Sequence, residues 1–400
     1  MQSTTSPPVL AIACGGTGGH FFPGLTIARE FKKRGGQPVL FVGGHHAPDQ
    51  IKVAREMGIQ AVSSAAVRIP QNKLFLPFAG LKLLRCVKEN RELMRRYGVT
   101  MALGMGSFAS APMALAANKE GIPLYLHEGN AMLGRANRFL SKKAEALFLS
   151  FPLANGEKTR IPQIEVGMPV RSQLRQSASR AESEKRRLAT FEKYELDPER
   201  PVLLVFGGSQ GASFLNELLP STMNILPKNM RKFQLVHLTG SRRSSFEIEY
   251  QQMGIKAHVD RRDRRIDRLY RIADLVICRA GASTIFELAL FGKPAILVPF
   301  PAATDDHQLA NARYVESQGG AIVKEEKELD AEELMNQLIE WHQNPQRYIE
   351  MAANIRKLAR PDAALTIIDH MAEHLEKLGR PLVPQPEVKK STGSTPARII

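Results

Sequence analysis

One pattern occurs twice in this chain and limits the folds open to it. Residues 9–31, VLAIACGGTGGHFFPGLTIAREF, and residues 202–219, VLLVFGGSQGASFLNELL, each pass from an unbroken apolar run through a glycine-rich turn into helical spacing. An apolar run without alternation is what a strand buried on both faces of a parallel sheet requires. Glycine lets the backbone turn where a side chain would clash. Gly15 and Gly207 lie 192 residues apart, close to half of the 400-residue chain. The pattern therefore predicts two similar α/β domains in tandem. The rest of the chain alternates in the same sense. VLFVGG (39–44), IPLYLHEGN (122–130) and EALFLSF (145–151) read as strands, with RANRFLSKKA (135–144) as a helix. In the second half KFQLVHLTG (232–240), DLVICRAG (274–281) and PAILVPF (294–300) read as strands, and STIFELALFGK (283–293) as a helix. Such alternation predicts doubly wound parallel sheets. Residues 172–198 are charged and short of strand signals, so a surface helix plus linker is expected there. Residues 361–378 read as a terminal amphipathic helix between Pro361 and Gly379. Residues 379–400, rich in Pro, Lys, Ser and Thr, are expected to be a disordered basic tail.

Composition excludes several classes. With 43% apolar and 24% charged residues the chain is neither collagen-like nor disordered over most of its length. Cys14, Cys86 and Cys278 are odd in number and widely spaced, which argues against a disulfide framework or a zinc site and fits a reducing compartment. No apolar run approaches the ~18 residues of a membrane span. The opening MQSTTSPP lacks the positive region of a signal peptide, and VLAIAC, with Ala11 where a lipoprotein cleavage site wants Leu, reads as a buried strand. The 55 Lys and Arg against 40 Asp and Glu give a net charge of +15, which favours an anionic partner: nucleic acid, an anionic membrane or a phosphorylated ligand. Nucleic acid is the weakest of these, because aromatics make up 6% of the chain with one Trp and no binding motif is present.

Five segments carry groups that chemistry can use. GGTGGH (15–20) is not a Walker A loop, since no Gly-Lys-Ser/Thr follows, and Phe21 stands where GxGxxG would place its third glycine. Gly15, Gly16, Gly18 and Gly19 nevertheless open a helix whose first N–H groups can face an anion, unless the segment is only a tight connection. GGSQG (207–211) repeats the logic with Gly207, Gly208, Ser209, Gln210 and Gly211. In RAGASTIFELALFGKP (279–294), Gly281 permits a turn that sets Ala282, Ser283 and Thr284 at a helix start. Glu287, one turn on, can accept both hydroxyls of a ribose; the alternative is a capping network. PFPAATDDHQLANA (299–312) falls at a sheet's carboxyl edge, where Asp306, His307 and Gln308 are placed to meet sugar hydroxyls or simply to be solvated. HEGN (127–130) offers a His–Glu pair, but there is no HExxH and no DxD, so no metal is expected.

Residues 70–96 differ in kind. Leu74, Phe75, Leu76, Phe78, Leu81, Leu83 and Leu84 are interleaved with Lys73, Lys82, Arg85, Lys88 and Arg91. That is the make-up of an interfacial segment on anionic lipid, or of an amphipathic helix packed on the sheet.

Seven motifs stand in a familiar order: GGTGGHFFPGLTIA, GMGSFASAP (104–112), HEGNAMLGRANRFL, VGMPVR (166–171), GGSQGASFLN, CRAGASTIFELALFGKPAILVPF and DDHQLANA. Over residues 9–370 the chain resembles the MurG family of bacterial peptidoglycan synthesis, glycosyltransferases of the GT-B class. The resemblance implies two Rossmann-like domains facing a cleft: an acceptor- and membrane-facing domain at 1–171, a charged linker at 172–198, a UDP-GlcNAc-binding domain at 199–360, and a helix at 361–378 returning to the first domain. It implies an inverting, metal-independent transfer of GlcNAc from UDP-GlcNAc to the 4-hydroxyl of the muramyl sugar of lipid I, giving lipid II. It also implies no cofactor, a peripheral place on the cytoplasmic face of the inner membrane, and a part in cell-wall biogenesis, cell shape and division, with proteins of those processes as partners. Two other readings stay open: a GT-B transferase with a different lipid acceptor, and a non-catalytic UDP-sugar-binding protein. Carried over by motif, Thr17, Gly18, Gly19 and Asn130 contact the donor from the first domain. Arg171 and Ser209 lie near the diphosphate or sugar. Ala282, Ser283, Thr284, Ile285, Phe286 and Glu287 bind the nucleotide, with Glu287 on the ribose, and His307 and Gln308 meet the sugar. Asp263 borders the uracil pocket. His20 is the candidate base, with His46 and Glu128 as rivals. The chain departs from the family at Gly129, where Gln is usual, at Met168, where Asn is usual, and in RRDRRIDRLY (261–270), which replaces a commonly acidic segment and has Ile266 where Met is usual.

Overall fold

The computed structural model describes residues 7–67, 76–106, 108–181, 183–208, 213–240, 246–303, 306–377, 379 and 382. The first half builds a seven-stranded sheet from β1 (Val9–Gly15), β2 (Gln37–Gly43), β3 (Gln60–Ser63), β4 (Met101–Gly104), β5 (Leu124–Glu128), β6 (Ala146–Leu149) and β7 (Gln163–Glu165). Its helices are α1 (Gly18–Lys33), α2 (Ala47–Glu56), α3 (Leu76–Tyr97), α4 (Ser110–Lys119) and α5 (Arg135–Leu140). Next come α6 (Ser172–Ser179) and α7 (Glu184–Lys193). The second half forms a six-stranded sheet from β8 (Val202–Phe206), β9 (Gln234–Leu238), β10 (Ala257–Asp260), β11 (Leu275–Cys278), β12 (Ala295–Leu297) and β13 (Ala321–Val323). Around it lie α8 (Ser213–Ile225), α9 (Phe246–Gln252), α10 (Ile266–Ile272), α11 (Ala282–Phe291), α12 (His307–Ser317), α13 (Ala331–Gln343) and α14 (Pro345–Lys357), and α15 (Ala363–Lys377) follows.

Every strand pair is parallel. The orders are β3-β2-β1-β4-β5-β6-β7 and β10-β9-β8-β11-β12-β13, so both sheets reverse direction at one point, between β1 and β4 and between β8 and β11. The missing alternation in the opening strands has a direct cause. In β1, Leu10, Ile12 and Cys14 enter the core shared with Leu25, Ile27 and Phe31 of α1, whereas Val9, Ala11 and Ala13 enter the core shared with Val87 of α3 and Met113 of α4. In β8, Val202, Leu204 and Phe206 face one core and Leu203 and Val205 the other. With helices on both faces, both parities of the strand must be apolar.

The segment expected to be a surface helix plus linker forms the two helices α6 and α7, which pack by their inner faces. Leu174 on α6, with Phe191, Tyr194 and Leu196 in and after α7, is buried in the second unit's core. Met168 and Val170, which precede α6, join the same core. The charges that suggested a linker lie on the outer face of these helices, and the spacing of Phe191 and Tyr194 puts both on the inner one. The last helix makes the reverse crossing. Ala364, Ile367, Ile368, Met371 and Leu375 of α15 are buried with Leu25 and Phe31 in the first unit's core. His374 Nδ1 is 2.5 Å from the Tyr125 hydroxyl, and Arg34 pairs with Asp369. The tail expected to be disordered falls, apart from Gly379 and Leu382, outside the described residues.

Two histidines are locked neutral inside these cores. His237 on β9 is fully buried between the Tyr250 hydroxyl and the Asn216 amide, each at 3.0 Å. His127 on β5 lies 3.3 Å from Ser150 Oγ. Burial pushes each imidazole down to about 4. The unfolded chain, with histidines near 6.5, takes up these protons first. Stability conferred by the neutral rings is thus complete above about pH 6.5 and lost as the pH falls towards about 4, on the order of 3 kcal/mol per residue. Urea unfolding at pH 7.5 and pH 4.5 checks this, and His237→Gln should flatten the difference.

Candidate functional site

The carboxyl ends of the two sheets meet, since Asn130 after β5 is bonded through Asn311 to Ala280 after β11, and the motifs after β1, β8 and β11 stand where the strand order reverses. That is where open α/β sheets bind ligands. GGTGGH follows β1 directly. Gly15 has φ of +123°, and a Cβ there would lie 2.3 Å from the Gly43 carbonyl oxygen, so only glycine passes. Gly16 N–H donates to that carbonyl at 3.0 Å, which sets α1 to begin beyond an exposed Thr17. The N–H groups of Gly18 and Gly19 have no acceptor within the helix. His20, half-buried in this first turn, has Nδ1 3.0 Å from the Met105 carbonyl. A carbonyl only accepts, so Nδ1 carries the proton and the neutral ring keeps its lone pair on Nε2. Burial lowers the His20 pKa; the Met105 bond opposes this, and His307 of the second unit lowers it further.

Glu128, at the end of β5, is 4% exposed. Its carboxylate accepts from Asn130 N–H (3.2 Å), Asn130 Nδ2 (3.3 Å), Gly134 N–H (3.0 Å) and Asn137 Nδ2 (2.9 Å). Four donors surround the carboxylate, so Glu128 braces the loop 129–134. His46 is exposed at the start of α2. Gly129 and Met168, the two departures from the family pattern, meet: a Cβ on Gly129 would lie 2.9 Å from Met168 Cε. The methionine fills the room that glycine leaves.

Across the crevice, α11 starts at Ala282 after Gly281, leaving the first N–H groups of the helix without intrahelical acceptors. The Ser283 hydroxyl is buried and has no hydrogen-bond partner among the described residues. A buried unpaired hydroxyl is costly, so a ligand or water that completes it is expected there. Glu287 accepts from Arg171 Nη2 (3.1 Å) and from the Tyr270 hydroxyl (3.0 Å). Ile285 and Phe286 turn their side chains inward. Both side chains are buried in the second core, with the Phe286 ring 4.9 Å from that of Phe151, and the Ile285 N–H already donates to the Gly281 carbonyl at 3.1 Å, so the free helix-start N–H groups are those of residues 282–284. Asp263 is also otherwise engaged. Its carboxylate takes the Tyr194 hydroxyl at 2.7 Å and Arg265 N–H at 2.5 Å, and so holds α7 to the segment before α10. After β12, Asp306 is left-handed with φ of +51° at the start of α12. Gln308 Oε1 accepts Phe300 N–H at 3.0 Å, which leaves its NH₂ group for other partners. Gly207 and Gly208 end β8 at the same edge, whereas Ser209, Gln210 and Gly211 lie outside the described residues.

Asn311 joins the two edges, and sequence reasoning missed it. Fully buried, it accepts Ala131 N–H at 2.8 Å and donates to Asn130 Oδ1 (3.1 Å) and to the Ala280 carbonyl (3.2 Å). A signal was present: an Asn between Ala310 and Ala312 inside a helix is a poor helix former and needs a reason. Among the described residues no group of three His, Cys, Asp or Glu side chains could hold a metal ion.

The α3 segment has two apolar faces. Cys86, Val87, Asn90 and Met94 are buried, with Asn90 taking the Ser64 hydroxyl at 2.8 Å. Phe78, Leu81 and Leu84 point outward at 71%, 67% and 58% exposure, among exposed Lys82, Arg85 and Lys88. Leu74 and Phe75 lie outside the described residues. Among the described residues no helix is long and apolar enough to cross a membrane.

Comparison with known proteins agrees with this geometry. Residues 10–149 match the glycosyltransferase family 28 N-terminal domain, and residues 202–367 match the family's C-terminal domain. The UDP-N-acetylglucosamine–N-acetylmuramyl-(pentapeptide) pyrophosphoryl-undecaprenol N-acetylglucosamine transferase of Ectopseudomonas mendocina is 37% identical over 360 residues, covering 90% of this chain and 96% of the relative. The protein of the same name from Trichlorobacter lovleyi is 34% identical, covering 92% and 98%. The crystal structure of Acinetobacter baumannii MurG superposes with a TM-score of 0.70 at 26% identity, covering 92% and 99%. A UDP-GlcNAc 2-epimerase from Neisseria meningitidis, at 14% identity and a TM-score of 0.65, shares the fold. The chain belongs to glycosyltransferase family 28, and its relatives set it among the MurG N-acetylglucosaminyltransferases.

Proposed function

We propose that this protein is an inverting N-acetylglucosaminyltransferase that moves GlcNAc from UDP-GlcNAc to the muramyl 4-hydroxyl of lipid I, producing lipid II for peptidoglycan. The observation that carries the reading is the pair of facing edges: a buried Ser283 hydroxyl with no partner among the described residues, one turn before Glu287, on one side, and His20 with its lone pair on Nε2 on the other. The nucleotide sits at the start of α11. Free N–H groups of residues 282–284 and the Arg171 guanidinium stabilise charge as it grows on the departing diphosphate, the work a metal does elsewhere. Glu287 takes the ribose, and the free NH₂ of Gln308 takes a sugar hydroxyl. The acceptor hydroxyl attacks the anomeric carbon from the face opposite UDP, and His20 Nε2 accepts its proton. The depressed pKa of His20 keeps it neutral, and so competent, at physiological pH. Phe78, Leu81 and Leu84 enter the headgroup layer of an anionic inner membrane while Lys82, Arg85 and Lys88 meet its charge. Partners among cell-wall and division proteins belong to the same picture.

The direct test is transfer of labelled GlcNAc to a short-chain lipid I analogue, with diacylglycerol as competing acceptor and excess EDTA present. Transfer to lipid I alone, undiminished by EDTA, is expected; transfer to diacylglycerol or loss restored by Mg²⁺ would overturn the acceptor or the metal-free step. His20→Ala should lower kcat by roughly 10²–10⁴-fold with an unchanged melting temperature. Glu128→Gln should do the opposite. Its new NH₂ group faces donors it cannot accept, so stability should fall by about 2 kcal/mol and the donor KM should rise. Replacing Lys82, Arg85 and Lys88 by Gln should weaken binding to phosphatidylglycerol-containing vesicles by roughly a hundredfold at low salt, measured by co-sedimentation.

A further inference from the structure

Glu287 is doubly occupied before any ligand arrives, and its two occupants are unlike. Tyr270 is fully buried, and burial together with the Glu287 charge pushes its phenol far above the usual range, so it is a permanent donor. Arg171 is held loosely. Its side chain is 39% exposed, against 12% for Glu287. It reaches Glu287 from the segment joining the two units, and its guanidinium carbon lies 5.5 Å from the centroid of the Phe22 ring. Phe22 belongs to α1 of the first unit and is itself 38% exposed. Arg171 is thus pinned between one unit's ring and the other unit's carboxylate by two contacts that are individually weak: a half-exposed ion pair and a cation–π contact without directional bonds.

Ribose hydroxyls that donate to Glu287 compete with Arg171 for the same oxygen atoms. A diphosphate at the start of α11 offers the guanidinium a fork of charged oxygens, which it matches better than one oxygen of a shared carboxylate. We propose that Arg171 is a donor-exchanged positioning residue: in the free protein it is parked on Glu287 against Phe22, and a bound nucleoside diphosphate releases it, the ribose taking Glu287 and the diphosphate taking the guanidinium. This rests on the nucleotide reading given above. The ring face of Phe22 lets the guanidinium turn from one partner to the other. Phe22 also stands two residues after His20 on the same helix, so the exchange changes the surface next to the proton acceptor only when donor is present.

Calorimetry with uridine and with UDP on the full chain tests the exchange, because uridine carries the ribose without the diphosphate. In Arg171→Met, uridine should bind roughly two- to fivefold more tightly, the competition a half-exposed ion pair can exert. UDP should bind roughly tenfold or more weakly, the loss expected for a charge-assisted contact. Phe22→Leu keeps Arg171 in place but removes the ring, and should tighten uridine in the same direction; it carries the test if Arg171→Met melts early. Uridine affinity unchanged or weakened in both variants would overturn the parked state. UDP affinity rising in parallel with uridine in Arg171→Met would overturn the hand-over. Wild-type protein that bound neither uridine nor UDP would instead remove the nucleotide reading itself.

Discussion

The chain passes between its two units twice, and the crevice depends on how those passages are held. Residues 166–171 leave the first sheet and bury Met168 and Val170 in the second core. The chain returns just beyond residue 360, and α15 buries Ile367, Ile368, Met371 and Leu375 in the first core. Each unit therefore completes its packing with a piece of chain that lies beyond the crossing. The two passages touch at Gly167, whose φ is +83° and where a Cβ would lie 2.4 Å from Arg360 Cβ. A side chain there would push the passages apart and with them the facing edges. Charged contacts brace the same junction: Glu30 of α1, nearly buried, takes Lys33 at 2.9 Å and Arg175 of α6 at 3.3 Å, and Arg29 donates to Ser172 at 2.8 Å.

Between these passages, buried polar groups hold the crevice floor. Burying Glu128 raises its pKa, and only its four donors make the carboxylate tolerable there. One of them, Asn130, passes the constraint to Asn311 and on to Ala280, so a line of hydrogen bonds runs from β5 to the turn before α11. Such a line is sharply sensitive to geometry, since a displaced partner leaves a buried group unpaired. The contact of Gly129 with Met168 works underneath it by packing alone. A chain with Gln and Asn at these positions would need polar partners for both.

The fold was legible because its strongest signal is redundant. A doubly buried strand cannot alternate, and a parallel strand needs a crossover, so two apolar runs with glycine turns already imply two parallel sheets. The site was legible by segment but not by atom. Glycine turns and helix starts depend on local backbone, and Gly15, Gly18, Ser283 and Glu287 all stand at a carboxyl edge as the spacing implies. Side-chain engagement depends on residues far away in sequence. Asp263 is taken by Tyr194, 69 positions earlier, and Asn130 by Asn311, 181 positions later. Ile285 and Phe286 belong to the same motif, but one turn into a helix the N–H groups are bonded within it and the side chains of these two positions face the core. In 172–198 the charge count reports the outer face of α6 and α7, and the inner stripe of Leu174, Phe191 and Tyr194 shows only once the helices are placed.

The excess of positive charge divides by how its carriers are held. Arg175 and Arg279 are spent inside the protein. Arg279, nearly buried, donates to the carbonyls of Val298 and Pro299 and pairs with Glu326, fixing the strand end that leads to His307. A guanidinium suits this work because it spreads its donors over several acceptors. On α3 the charges are of another kind: among the described residues Lys82 and Lys88 form no ion pair, and Arg85 pairs with its helix neighbour Glu89 at 3.0 Å while its side chain stays 83% exposed. Charges left in solvent beside three outward apolar side chains stabilise nothing within the fold. Their value lies in what they meet outside it, and an anionic surface that also accepts Phe78 and Leu81 satisfies both halves of that face at once.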